Sequence, residues 1–404
     1  MTAAAGFSRR LRVIGAAAAI FLLGAAVPVA MNVAADAALD FNCSPEYQVD
    51  HTMANGAKWQ MCWERREAEG IVLHDVTYTP PGGDSVEVLG RAALAQIFVP
   101  YDDNWARFHD LSDYGLGTID HLNDLTAGDC PNGDLVTEDT YNVMCQTEAP
   151  AGYSYKDYDL QGQATSLNLF SVSHIGAYNY VVAWNFDDDG TIRPEVGATG
   201  QLQNDFSTSD PTRGWPLGGG RIGVGHMHSY YWRLDFDLAG TRFDDRVEEL
   251  EAVPQVGNTQ RRNTRRAFTT EVARRVAPQS FRSWRVRDVN ELNADGHPIS
   301  FEILPNTDHI FRGPETFTQN ELYVTKHRTC ERFASHNVQS CSGSPNSVPG
   351  FVNGEGISNQ DTVVWYGTSF HHLPRDEDED HMHPHWSGFS IIPRDLTATN
   401  PTAP

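Results

Sequence analysis

Positive charge is what this chain has least of: 30 Lys and Arg stand against 53 Asp and Glu, a formal net charge of −23. That balance opposes nucleic acid or anionic lipid as a general partner, while it raises the local concentration of cationic small molecules without choosing among them. Helical periodicity is scarce as well. Val247 to Arg275 is the best candidate for a helix or an arm, and its pairs Arg261-Arg262, Arg265-Arg266 and Arg274-Arg275 read either as a basic patch or as an ordinary solvated segment. No internal repeat is evident. There are only six Cys, none near the histidines singled out below, which disfavours a thiolate metal site. An even number in an exported chain suggests three disulfides, and proximity proposes Cys43 with Cys62, Cys130 with Cys145, and Cys330 with Cys341.

What the chain does have is enough apolar matter for a large core. With 404 residues, 40% hydrophobic and 10% aromatic, it can fill one large domain or two smaller ones. Short aromatic and β-branched runs alternate with Gly, Asp, Asn and Pro turns, a pattern that predicts a mainly β protein built as a large antiparallel β-sandwich with few short helices. At the N-terminus Arg9, Arg10 and Arg12 precede an apolar stretch from Val13 to Ala30 and small residues through Ala38. This reads as a signal peptide over residues 1–37, cleaved near Ala35 to Ala37, followed by a short lead-in over 38–58. A secreted or extracytoplasmic location follows, without stable membrane association after cleavage. The apolar run is just long enough to span a bilayer, so an uncleaved anchor is the alternative.

Three short segments carry the chemistry. Tyr178 lies in a run that reads as a strand, an Asp-Gly turn and a returning strand. The pair His226 and His228 sits at i and i+2, and strand geometry sends such side chains out of one face about 7 Å apart, able to converge on one ion. Downstream of the pair, Trp232, Leu234, Phe236 and Leu238 alternate with Arg233, Asp235 and Asp237, which predicts a half-buried strand. His372 lies in the third segment, His371-His-Leu-Pro-Arg375. The spacing alone proves little, since a chain with 16 His reaches such pairs by chance and the bland reading is two hydrogen-bonded surface histidines. Three imidazoles with open positions suit Cu(II) and also zinc, and the zinc reading leaves Tyr178 unexplained.

Taken together these segments resemble the copper amine oxidases. The likeness runs from Trp59-Gln60 through Gly70-Ile-Val-Leu-His-Asp75, Val86 to Ala95, Phe98-Val-Pro-Tyr101 and Phe108-His-Asp-Leu-Ser-Asp-Tyr-Gly-Leu-Gly117. It then continues to His372-Leu-Pro-Arg-Asp-Glu-Asp378, over about residues 59–395. The resemblance implies a catalytic domain over 59–404, copper held by His226, His228 and His372, and a topaquinone made from Tyr178. It also implies Asp110 as the catalytic base and Tyr101 as the tyrosine that hydrogen-bonds the quinone. The substrates would be a primary amine and O₂, the products an aldehyde, ammonia and hydrogen peroxide. Cys130 with Cys145 matches the family's disulfide. The chain looks like a catalytic domain on its own, with about 20 residues between signal and Trp59, and a homodimer is expected because family members are.

Asp235, Asp237 and Asp361, with the carbonyls of Phe236 and Thr362, match an all-oxygen set like the family's calcium site. The competing reading is the solvated face of a strand. His381, His383 and His385, within an acidic tract, read as a surface loop or as a metal-collecting patch. Ala177 and Asn179 stand where the family has Asn and an acidic residue beside the cofactor tyrosine. They favour a second hypothesis, a copper-binding relative that forms no topaquinone and has a non-catalytic role.

Overall fold

The computed structural model describes residues 41–103, 105–203, 208–255, 257 and 259–403. The expected signal peptide, and the first residues of the lead-in, lie outside these. Alternating apolar residues in short runs give strands, and the strands pair antiparallel into two large sheets. The first has nine described strands; its centre is Val86–Pro100, His226–Phe236 and Thr362–His372, side by side. The second has eleven, and its centre includes Leu160–Ile175, Tyr178–Asp187 and Ile192–Gly200. Among the described residues helix is limited to single turns such as Asp110–Asp113 and Val348–Phe351.

The two sheets are glued by large aromatic side chains, as in a sandwich. Trp184 of the second sheet meets Trp232 of the first edge-on at 4.8 Å between ring centres. Trp59 meets Phe186 at 4.9 Å, and Tyr366 meets Phe389 at 4.4 Å. Each such pair adds about 0.5–1.5 kcal/mol beyond the area it buries. The expectation of a mainly antiparallel β-sandwich holds.

Two local expectations do not. The strand carrying the His pair is buried along its whole length, His226–Phe236, so Arg233 and Asp235 are not on a solvated face. Its second face is covered by a separate cluster that includes Phe98, Tyr231, Phe317 and Trp365. Arg233 lies over the Trp365 ring, donates to the Glu331 carbonyl at 3.2 Å and pairs with Asp235 at 3.3 Å. The alternation therefore marks two buried environments, one apolar and one ionic. The second correction concerns the helix alternative for Val247 to Arg275: Arg246–Pro254 and Arg261–Ala267 form a hairpin, which excludes the helix and leaves the arm reading untouched. Pairing against Ser283–Leu292 decides it, because Glu248 then faces Arg285 and Arg287 at 2.8 Å each while Glu249 meets Arg274 at 3.3 Å.

All three cysteine pairs suggested by proximity are disulfides: Cys43–Cys62, Cys130–Cys145 and Cys330–Cys341.

Candidate active site

The site forms where one end of each sheet faces the other. In the first sheet the register sets His226 directly opposite His372 on the neighbouring strand, and His228 opposite Phe370. The i, i+2 spacing then brings His228 to the same side as His226. In the second sheet a two-residue turn, Gly176-Ala177, reverses the chain, with Gly176 at φ 61° supplying a left-handed position that glycine takes at little cost. Tyr178 is the first residue after that turn.

One nitrogen from each of His226, His228 and His372 falls within 4.8 Å of the others. For His226 and His372 the tautomer is set from outside. His226 Nδ1–H donates to the Val224 carbonyl at 3.0 Å, which leaves its Nε2 lone pair facing inward. His372 Nε2–H donates to the Asp378 carboxylate at 3.0 Å, which leaves Nδ1 inward, 3.2 Å from His226 Nε2. Burial pushes His226 and His228 well below the usual imidazole range, helped by neighbouring imidazoles; it takes His372 down to about 4 even though Asp378 opposes the shift. The imidazoles are thus neutral, the state a metal ligand needs.

The Tyr178 hydroxyl sits 2.7 Å from His226 Nε2 and 3.4 Å from His372 Nδ1. One hydroxyl hydrogen cannot serve both lone pairs, and His228 has neither nitrogen bonded although both are buried. An unpaired buried polar group costs about 1–3 kcal/mol. Acceptors in excess of donors, at close range and out of water, fit a soft-to-borderline divalent cation such as copper. The donor set therefore passes on chemistry as well as on position.

Asp110 opens the single-turn helix because Arg107–His109 folds back along Val86–Pro100, with Phe98 opposite His109. The return after Tyr101 is closed by Tyr101 N–H donating to the Ala106 carbonyl at 3.0 Å. Asp110 is 4% exposed and accepts a 2.7 Å hydrogen bond from Tyr180. Burial pushes its carboxyl up to about 7, against the lowering effect of that bond. Tyr101 stacks on His226, 4.5 Å between ring centres. Asp110, Tyr101, Tyr178 and Tyr180 border one cavity of about 270 Å³.

Ala177 and Asn179 are half-buried; Ala177, in the turn, borders the same cavity as Tyr178, while Asn179 lies on the other side of the strand and accepts from the Asn123 amide at 3.3 Å. Asp235, Asp237 and Asp361 bring carboxylate oxygens within 4.8 Å of one another, each with one buried oxygen unpaired. Phe236 ends one strand there and Thr362 begins its neighbour. Burial and mutual repulsion raise Asp237 to about 7 and Asp361 to about 6. A hard-oxygen set of this kind fits calcium, although Arg242 and Arg233 already offset part of its charge. His381 and His383 are exposed, but the expected surface loop is corrected in part: His383 and His385 lie on the strand Met382–Gly388, which pairs with Ile192–Gly200. His385 turns inward, 3.6 Å from Asp378.

Reading the sequence did not pick out Tyr180 or Asp378. Tyr180 could have been found from strand periodicity, since i+2 from Tyr178 shares its face. Asp378 acts across a turn and left no such signal.

The family profile for the copper amine oxidase enzyme domain matches residues 48–404. A histamine oxidase of Arthrobacter globiformis is 25% identical over 89% of the chain and 58% of its own length. A primary amine oxidase of Klebsiella aerogenes is 24% identical over 88% of the chain and 54% of its own length. The chain thus spans little more than half of these relatives. Among solved structures, a copper-containing benzylamine oxidase from Hansenula polymorpha superposes with a TM-score of 0.72, at 20% identity, over 89% of the chain and 63% of that structure. At that identity the likeness shows a shared fold.

Proposed function

The chain belongs to the copper amine oxidase family, and from that premise we propose that it oxidises primary amines to aldehydes, releasing ammonia and hydrogen peroxide, with copper and a topaquinone made from Tyr178. The observation that carries this reading is the Tyr178 hydroxyl 2.7 Å from His226 Nε2, inside a cluster of imidazoles with lone pairs to spare. His226 Nε2, His372 Nδ1 and one nitrogen of His228 would hold the metal. Copper there supplies redox chemistry with O₂, and the quinone supplies an electrophilic carbonyl for the amine.

The chain's own residues do the rest. Asp110 accepts the proton from the substrate carbon next to nitrogen, a role that suits a buried carboxylate whose proton affinity lies near neutrality. Tyr180, donating to Asp110, fixes which oxygen faces the cavity. Tyr101 bounds the site at His226 and is the proposed hydrogen-bond partner of the oxidised ring. Asp378 holds His372 in the tautomer that points Nδ1 inward. Asp235, Asp237 and Asp361 are a proposed calcium site. Three disulfides are compatible with an extracellular protein. Among the described residues no helix is long and apolar enough to cross a membrane. Secretion and a homodimer are part of the proposal.

A second reading, a copper-binding relative without the quinone, is favoured by one observation: the residue after Tyr178 is the neutral Asn179, engaged by Asn123, and supplies no acidic charge there. Aerobic copper loading followed by a quinone redox stain separates the two. Staining with peroxide release on adding an amine supports the oxidase. Copper uptake with neither supports the relative.

A further inference from the structure

Family membership does not fix the amine, since the relatives' own names run from histamine to methylamine. The cavity beside Tyr178 narrows the choice. Its volume of about 270 Å³ lies below the usual ~300–1,000 Å³ of ligand sites. Val99, Phe108 and Ile175 supply apolar wall, and Tyr114 stands at the border, 43% exposed.

We propose that this cavity selects aryl-alkyl monoamines, of which 2-phenylethylamine is the type, and rejects short diamines. The inference rests on the oxidase reading for the site's identity and goes beyond it in naming the substrate class. Charge placement is the argument. Among the described residues bordering the cavity the one carboxylate is Asp110, so one ammonium finds a partner and a second does not. The next acid along the same helix, Asp113, is turned outward to His336 at 2.9 Å and Gln339 at 2.8 Å. A diamine seated with one nitrogen at Asp110 would leave its distal ammonium beside Val99, Phe108 and Ile175 with only neutral polar neighbours such as Tyr114 and Gln203 and no second carboxylate, an environment that disfavours a charge. An aromatic ring at that place instead buries apolar surface and meets Tyr178 and Tyr180. The strongly acidic surface attracts mono- and diamines alike, so discrimination falls to the cavity.

The test uses metal-free protein with Tyr178 unmodified, so that binding is read apart from turnover. Calorimetry at pH 8, where Asp110 is ionised, compares 2-phenylethylamine with putrescine. The expected result is at least 10-fold tighter binding of 2-phenylethylamine. In Tyr114→Asp, which places a second carboxylate at the border, the ratio falls at least five-fold; in Tyr114→Phe it does not move. Equal or tighter binding of putrescine, no heat with 2-phenylethylamine at millimolar concentration, or an unmoved ratio in Tyr114→Asp overturns the inference. Selective binding by a protein that never stains for quinone sinks the oxidase reading and leaves the cavity's selectivity standing.

Discussion

His226 and His372 lie 146 residues apart in the chain and directly across from each other in the sheet, with His226 Nε2 3.2 Å from His372 Nδ1. A strand pair can hold two ligands this firmly because its register is fixed along eleven-residue strands, whose every neighbouring side chain would change face on a one-residue slip. The proposed metal site is therefore held by the same strand register that orders the core of the sandwich.

His228 is the residue at which metal binding and stability oppose each other most clearly. With both ring nitrogens buried and unpaired, it destabilises the metal-free protein. His228→Phe, stacked on Phe370 as the imidazole is, should raise metal-free stability by about 1–3 kcal/mol. Copper affinity should fall at least about 100-fold, which thermal melts with and without copper, and a chelator competition, would measure.

Asp378→Asn keeps size and removes the charge that fixes the His372 tautomer. Copper affinity should drop about 10–100-fold, read by the same competition, with the fold retained.

For Asp110 the sign is set by a carboxyl that must be ionised to act as base. With its proton affinity raised to about 7, kcat/KM should climb as pH rises through about 7 and level above it. Tyr180→Phe removes a bond that favours the ionised form, so the rise should move to higher pH. A pH profile that stays flat from pH 5 to pH 8 would remove Asp110 from this role.

The Asp237 and Asp361 carboxyls, raised to about 7 and about 6, hold protons in the folded state that the unfolded chain has lost. Their contribution to stability is therefore full below about pH 4 and lost as pH climbs to about 7. Calcium should restore it, raising the melting temperature more at pH 8 than at pH 5. Asp361→Asn should shrink that difference.

Much of this was legible in the sequence, and the parts that were not have physical causes. Tyr178, His226 and His372 stood out because strand spacing, turn signals and resemblance coincide there. The disulfides followed from short loops. Arg233 and Asp235 misled because alternation reports two environments without saying that the second is water; here it is an ionic layer under Trp365. Val247 to Arg275 misled because ion pairs with a distant strand outweigh local propensity. Asp378 was invisible as a partner, since its bond to His372 depends on a turn that sequence does not specify.

The most direct measurement is peptide mass spectrometry of protein loaded aerobically with copper and treated with phenylhydrazine. The account expects the adduct on Tyr178, absent in His228→Phe. Full copper occupancy with an unaltered Tyr178 would contradict it.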